Sequence, residues 1–222
     1  MIDEHLAKTP LFQTISASEL QQLSDVCELR RFRKGQHLFD EGQPAASTWV
    51  IQRGWVYLVK RTPQGVPVTI FTVTPEEVLC GYSAVVGHSV YYASAVAATE
   101  TTAIRIPGEE FTRLVRRHAG FAEQVLVIYH ARMRRMAEAI ALAHAPVEQR
   151  LAHTLLRLKA TFGNPNSVTH QELAHMAGTR WETSIRTIAV FKRKRWLSSS
   201  RGKMVVLQPR ALQALLAPNG EV

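Results

Sequence analysis

The spacing of apolar residues changes at residue 31, and the change predicts a helical segment followed by a β-rich one. In residues 1–30, apolar side chains recur every three to four positions, and Ser16 or Ser18 can cap a helix over 19–28. From Arg31 to Pro107 the period falls to two, in short runs that are separated by glycines and Pro75. The runs are Thr48–Ile51, Trp55–Val59, Val66–Val73 and Ala93–Ile106. Short strands with glycine-bearing turns predict a sandwich or jelly roll.

A second helical pattern covers residues 109–144. Its apolar stripe recurs every three to five residues, at Phe121, Val125, Ile128, Met133, Met136, Ile140 and Ala143. In the simplest interpretation this stripe packs on the β-rich part of the same chain. Pro146 cannot continue a helix interior, because it lacks a backbone N–H. Ala145-Pro146 is therefore predicted to be a hinge and a domain boundary.

Residues 169–195 have the pattern of a helix-turn-helix. Thr169 and Glu172 form a T-x-x-E capping box, Gly178 allows a sharp turn, and Thr179 with Glu182 repeats the capping pattern. Two short helices around a glycine turn form a motif whose second helix enters the DNA major groove. Lys192-Arg193-Lys194-Arg195 then closes the second helix with positive charge.

The elements that flank this motif complete a small domain. Val147–Phe162 predicts a helix with Leu151, Leu155, Leu156 and Leu158 facing inward, followed by a loop over residues 163–166. Trp196–Leu207 predicts a two-stranded wing, and Pro209–Leu216 predicts a short closing helix. At 100° per residue, four residues of the second helix face the core, and four face the groove. The core set is Ser184, Thr187, Ile188 and Phe191; the groove set is Glu182, Arg186, Ala189 and Arg193.

The positive charge is concentrated in the C-terminal part of the 222-residue chain. The net charge is +9. Residues 146–222 carry 12 Lys and Arg against 4 Asp and Glu, which gives +8, whereas residues 1–145 carry 15 against 14. A basic C-terminal domain on a nearly neutral body favours a nucleic-acid partner over a merely soluble basic surface.

The remaining composition narrows the class of protein. No apolar run is long enough to span a membrane, and the N-terminus lacks the pattern of a signal peptide. Cys27 and Cys80 are too few for a disulfide framework or a four-thiolate iron–sulfur site. These observations predict a cytoplasmic protein without a membrane partner.

Three groups of residues in the N-terminal half resemble the β-roll of the cyclic-nucleotide-binding fold. They are Pro10-Leu11-Phe12, Gly35-x-x-Leu38-Phe39-x-x-Gly42 and Ile51-x-x-Gly54-x-Val56-x-Leu58. With the C-terminal helix-turn-helix, the chain resembles the CRP/FNR superfamily of bacterial transcription regulators over nearly its full length. The resemblance implies an α+β fold with a β-roll (a double-stranded jelly roll), a long dimerisation helix and a winged helix-turn-helix. The predicted boundaries are residues 1–108, 109–145 and 146–222.

The same resemblance implies a parallel homodimer through the long helix, so that the apolar stripe of residues 109–144 serves both its own β-roll and its twin. The predicted partner is double-stranded DNA with a pseudo-palindromic operator whose half-sites lie roughly 34 Å apart. RNA polymerase is a further candidate partner. The resemblance also implies that an effector changes the angle between the paired helices, with Ala145-Pro146 transmitting the change.

Arg186 is the predicted base-reading residue, because its guanidinium can bond guanine O6 and N7 together; a phosphate contact is the alternative. Glu182 fits either a cytosine N4 contact or helix capping. The family pattern is Arg-Glu-Thr-x-x-Arg, and here Trp181 replaces the first Arg, so it either packs on a thymine methyl or covers the core. The residues assigned to DNA are Thr169, Gln171, Arg180, Trp181, Glu182, Arg186, Arg193 and Lys203, with Lys192, Lys194 and Arg201 as further phosphate contacts.

The family's nucleotide cassette is altered here. Its ribose-binding Glu and phosphate-binding Arg correspond to Tyr82 and Tyr92, and Pro75-Glu76-Glu77 replaces the usual Pro-Gly-Asp. Without that Arg a cyclic phosphate loses a charge-assisted pair, which argues against cyclic AMP. The predicted pocket residues are Gly81, Tyr82, Ser83, Tyr92, Ala93 and Ser94. The two tyrosines either fill a ligand-free core or accept a different effector, such as an apolar or aromatic molecule.

No cofactor, catalytic residue or metal site is predicted. Haem is a weaker alternative, since Cys80, His88 and His130 lie where haem-sensing relatives place ligands, yet no fixed spacing supports it. A redox switch at Cys80 is equally weak. An enzyme is not favoured, because the sequence has no catalytic triad order, no H-E-x-x-H and no phosphate-binding glycine loop. A non-DNA interaction module is the remaining alternative, and the basic C-terminal domain argues against it.

Overall fold

The computed structural model describes residues 1–65, 67–79, 81–86, 89–164, 168–200 and 203–217. It has a mixed α+β fold with two compact units, residues 1–136 and 137–222. The first contains the β-strands of the predicted β-roll, and the second contains the helix-turn-helix. The fold class predicted from the sequence is confirmed. The finer division at residues 108 and 145 stays a prediction.

The first unit begins with helices α1 (Ile2–Lys8) and α2 (Ala17–Val26), joined through a 3₁₀ turn at Pro10–Phe12. Ser16, not Ser18, caps α2, since its Oγ accepts from the Glu19 N–H at 3.4 Å. The predicted helix end is wrong, because Glu28–Phe32 forms strand β1. Pairing with a neighbouring strand here outweighs the helical spacing, which ran out at Cys27.

Seven further strands complete two four-stranded antiparallel sheets. They are β2 (His37–Phe39), β3 (Ser47–Arg53), β4 (Val56–Arg61), β5 (Pro67–Val73), β6 (Val78–Leu79), β7 (Ser94–Ala97) and β8 (Thr101–Pro107). The strand orders are β1-β8-β3-β6 and β2-β7-β4-β5. The inward side chains of both sheets form one core, including Ile51, Val56, Leu58, Ala95 and Ala103. Alternate burial along the strands is the pattern that predicted this β-roll.

The predicted strand Ala93–Ile106 is two strands in different sheets, β7 and β8. A bend at residues 98–100 separates them, where the Ala98 N–H and the Thr101 hydroxyl both donate to the Trp55 carbonyl. Gly54 lies against this bend with φ of +78°, and a Cβ there would come within 2.4 Å of the Glu100 carbonyl oxygen. The close approach therefore requires glycine at position 54.

The helical pattern over residues 109–144 is confirmed as two helices, α4 (Gly108–Arg117) and α5 (Ala119–Ala143), after a short helix α3 (Gly81–Val86) that the sequence did not predict. On α5, Phe121 and Val125 are buried, and Ile128 and Met136 are partly buried against the apolar cores of the first unit. Met133 is 70% exposed and Ile140 67% exposed. The broad stripe therefore divides into a packed part and an uncovered part.

The second unit has the predicted order of elements. It contains α6 (Val147–Phe162), α7 (His170–Met176), α8 (Trp181–Arg193), β9 (Leu197–Ser200), β10 (Lys203–Val206) and α9 (Pro209–Ala214). Leu151, Leu155 and Leu158 are buried as predicted, whereas Leu156 is only half-buried. Strands β9 and β10 pair in antiparallel register to form the wing. Within the described residues, no helix is both long and apolar enough to cross a membrane.

Candidate nucleic-acid interface

Helix α7 begins with the predicted capping box. The Thr169 Oγ1 accepts from the Glu172 N–H at 3.2 Å, and the Glu172 Oε2 accepts from the Thr169 N–H at 2.8 Å. Two otherwise unpaired backbone donors are thereby satisfied. Leu173 and Ala174 on this short helix are buried, and their packing fixes the position of α7 beside α8.

Thr169→Ala is expected to lower the free energy of unfolding of the second unit by about 1 kcal/mol, because an N-cap hydroxyl is lost. The matched control is Thr179→Ala, since no side chain caps α8 and the Thr179 hydroxyl is not used for this purpose. Urea unfolding of both variants, followed by circular dichroism, checks the difference. Equal destabilisation of the two would contradict the assignment of the cap to Thr169 alone.

The turn between α7 and α8 forms at Gly178, whose φ is +59°. The Arg150 guanidinium on α6 fixes this turn by donating to the Gly178 carbonyl at 2.8 Å. The second predicted capping box is wrong: α8 starts one residue later, with Arg180 as N-cap and no capping side chain. The reason is that the Thr179 N–H still bonds the Ala174 carbonyl and so belongs to the turn.

The inner face of α8 is the one that the helical wheel predicted. Ser184, Thr187, Ile188 and Phe191 are all buried. Ser184 is fully buried, and its hydroxyl has no hydrogen-bond partner in the described part of the chain. Ser184 has the smallest side chain of the four buried residues, and nothing in the described residues explains its hydroxyl. The register of α8 follows directly from this buried face.

The outer face of α8 is exposed at every position that was predicted to face DNA. These positions are Trp181, Glu182, Arg186, Ala189 and Arg193, and Thr169, Gln171, Arg180 and Lys203 on neighbouring segments are also exposed. Trp181 is 52% exposed, so it does not serve chiefly as a cover for the core. The structure therefore presents these side chains on the surface, and their individual contacts with DNA stay predictions. Arg201 lies outside the described residues.

The charge of this surface comes from arginine and lysine. No Asp or Glu occurs in the sequence between Glu182 and Glu221. Burial and the nearby Lys192 charge lower the pKa of His170, and burial lowers the pKa of His175. Both imidazoles are therefore neutral near pH 7, and they add little to the positive field.

The predicted effector cassette is only partly described. Ser83 on α3 and Ala93 are buried, and Tyr92 and Ser94 are half-buried. Two contacts fix this region: Lys60 Nζ donates to the Tyr92 carbonyl at 2.9 Å, and the Glu41 N–H donates to the Ser94 hydroxyl at 3.0 Å. Gly81 and Tyr82 belong to α3, and the Tyr82 side chain is not described. Cys80 and His88 lie outside the described residues, and His130 is exposed on α5.

A buried arginine beside this region was not predicted from the sequence. Arg132 on α5 is 4% exposed, and its Nη2 donates to the Val78 carbonyl at 2.6 Å. Its guanidinium lies 5.1 Å from the Phe71 ring centroid, and its Nε has no hydrogen-bond partner among the described residues. Its spacing could have indicated the burial. Arg132 follows Val125 and Ile128 and precedes Met136 at intervals that place all four residues on the same face of α5.

Cys27, the cysteine among the described residues, lies at the end of α2. Burial, with a smaller contribution from the Glu110 carboxylate, raises the pKa of the Cys27 thiol to about 12. A thiol with this pKa is almost fully protonated near neutral pH and is a poor nucleophile. Cys27 therefore has the character of a packing residue.

Comparison with known proteins gives two family matches on this chain. Residues 29–118 match the cyclic nucleotide-binding domain, and residues 149–215 match the Crp-like helix-turn-helix domain. The chain is 26% identical over 215 residues to the CRP-like cAMP-activated global transcriptional regulator of Mycobacterium tuberculosis, covering 93% of this chain and 95% of that protein. It is 25% identical to Electron transport regulator A of Shewanella oneidensis, and the match covers 94% of this chain and 86% of that protein.

A solved structure supports the same fold. FixK2 from Bradyrhizobium japonicum superimposes with a TM-score of 0.78 at 16% identity, covering 88% of this chain and all of that one. The two matched domains occur in the same order as the β-roll and the helix-turn-helix of the structure. The chain belongs to the CRP/FNR superfamily of transcription regulators.

Proposed function

We propose that this regulator acts as a homodimer that binds a specific DNA sequence and is controlled by an effector other than cyclic AMP, or by none. The observation that carries the proposal is the outer face of α8, where Arg186 and Arg193 are exposed above a fully packed inner face. A rigid helix with an exposed arginine row fits the major groove, where guanine offers two acceptors to one guanidinium.

The support for a dimer is an uncovered apolar row on α5. Leu126 and Met133 are each 70% exposed, and Ile140 follows Met133 by the same interval of seven residues in the sequence. Single exposed apolar residues are common, but apolar residues that repeat every seven positions on a 25-residue helix form one of the two apolar rows of a coiled-coil heptad. Two copies would bury this row against each other and place two α8 helices on a pseudo-palindromic operator.

The altered cassette supports an effector other than cyclic AMP. The relative from M. tuberculosis is named as cAMP-activated. Here the positions of the ribose-binding Glu and the phosphate-binding Arg are Tyr82 and Tyr92, so the usual charge-assisted contacts have no counterpart at those positions. Tyr92 packs partly against the β-roll core, which suits a smaller or more apolar effector as well as a ligand-free core. A haem- or redox-linked sensor is the second candidate, with Cys80, His88 and His130 as its residues.

Two titrations test this proposal on the intact protein. Fluorescence anisotropy with a labelled duplex should show affinity that falls steeply with salt, with a log–log slope near −0.9 for each phosphate contact. Addition of cyclic AMP should leave that affinity unchanged. A salt-independent or absent interaction with duplex DNA would contradict the DNA-binding role, whereas a gain in affinity with cyclic AMP would contradict only the effector assignment. RNA polymerase is a proposed partner once the protein is bound at a promoter.

A further inference from the structure

Arg195 has an unusual backbone conformation for an arginine. Its φ is +57°, and Glu76 at +67° is the other non-glycine residue with positive φ among the described residues. In this left-handed region, the Cβ of an L-residue lies too close to the following carbonyl oxygen, and glycine is favoured. Arg195 is therefore held against its own preference by the structure around it.

The conformation has a clear role at the end of α8. The Trp196 N–H donates to the Phe191 carbonyl and the Arg195 N–H donates to the Lys192 carbonyl, both at 2.9 Å. The Phe191 and Trp196 rings pack with centroids 5.6 Å apart. These bonds and the apolar contact define a Schellman motif, in which the left-handed position is usually glycine. This motif turns the chain from α8 into the wing.

The side chain of Arg195 contributes nothing to this motif. It is exposed, and within the described residues no hydrogen bond, ion pair or ring contact involves its guanidinium. Its neighbour behaves differently, because Lys194 Nζ lies 4.5 Å from the centroid of the Trp196 ring. A glycine at position 195 would form the same turn with less strain, so the fold does not explain the arginine.

We infer that the Arg195 guanidinium binds a phosphate of the DNA backbone beside the recognition helix. The inference rests on the proposed DNA-binding function. Arg195 lies at the junction between α8 and the wing, in a stretch of sequence without a carboxylate from residue 183 to residue 220. A polyanion is the partner whose charge is complementary to this stretch, and the guanidinium can bond a phosphate through two N–H groups. Such a contact fixes the position of the protein on the duplex without reading sequence.

The test compares Arg195→Gly with Arg195→Lys in the intact protein. Arg195→Gly should raise the thermal midpoint of the second unit by about 4 °C, because strain is relieved. The same variant should bind both a selected operator and a random duplex roughly eightfold more weakly at 0.1 M salt, with a log–log salt slope shallower by about 0.9. Arg195→Lys should keep the slope, because it keeps the charge.

Two controls separate strain from charge. Glu76→Gly relieves the same kind of strain in the first unit, and it should raise stability without weakening DNA binding. Arg33→Gln removes one exposed positive charge from the first unit, and it should leave the salt slope unchanged. An Arg195→Gly protein that binds like the wild type would overturn the role of Arg195, as would a loss confined to the operator. If the wild-type protein binds no duplex, the proposed function fails, and the role of Arg195 fails with it.

Discussion

Replacing Arg186 with alanine is expected to weaken binding to a selected operator by roughly 5- to 150-fold and to change binding to a random duplex much less. The expected loss corresponds to about 1–3 kcal/mol, which is the discrimination given by a bidentate contact with guanine. Arg186 is the residue for this role because it is exposed near the middle of the outer face of α8, opposite the buried Ile188 and Phe191 side.

The matched control for Arg186 is Lys192→Ala on the same helix. Lys192 is exposed in the last turn of α8, and we expect it to contact phosphate only. Its loss should weaken operator and random duplex equally and reduce the salt slope. Competition binding with both duplexes, measured for both variants, separates the two roles. If Arg186→Ala also weakens both duplexes equally, Arg186 contacts phosphate and does not read a base.

The second large effect is expected at the uncovered row of α5. Leu126→Glu and Met133→Glu should each convert the dimer to a monomer and lower operator affinity by more than about 100-fold, because the second half-site is no longer engaged. A dimer would bring two equal carboxylates together in a dry interface, and burying charges of the same sign costs several kcal/mol per ion. Analytical ultracentrifugation gives the mass, and anisotropy gives the affinity.

Val86→Glu provides the control for both α5 variants. Val86 is 72% exposed on α3, so this substitution introduces the same charge at an apolar side chain that is as exposed as Leu126 and Met133. It should leave the mass unchanged. If Leu126→Glu and Met133→Glu also remain dimers, this row is not the dimer interface. Retained operator affinity in a true monomer would instead contradict the need for two half-sites.

The spacing of apolar residues predicted most of the fold, because most helices and strands bury one apolar face against their neighbours. Helix α6 matches its predicted bounds, and the buried face of α8 was correct residue by residue, since the wheel needs only the helical repeat. The errors arose where contacts between residues distant in the sequence determine the local structure. Residues 28–30 join strand β1 through pairing with β8, and the bend between β7 and β8 depends on bonds to the carbonyl of Trp55, which lies in the distant turn between β3 and β4.

For similar reasons, some features of the candidate site were predicted correctly and others were not. Thr169 and Glu172 satisfy each other locally, so their sequence pattern was enough. Thr179 and Glu182 have the same pattern, but Thr179 is already committed to the turn by its bond to Ala174. Arg132 was not predicted, because the spacing of apolar residues alone does not indicate that a charged side chain lies on the inward face of α5. The strain at Arg195 depends on a backbone angle, and neighbouring residues do not reveal it.

Selection of duplexes from a random library by the intact protein shows whether this chain is a dimeric, sequence-specific DNA binder. We expect enrichment of one pseudo-palindrome, with half-sites centred about one helical turn, roughly 34 Å, apart. Because Trp181 replaces the first arginine of the family pattern, the half-site should also depend on the residue at position 181. Recovery of unrelated sequences, or of a single unpaired half-site, would contradict the claim.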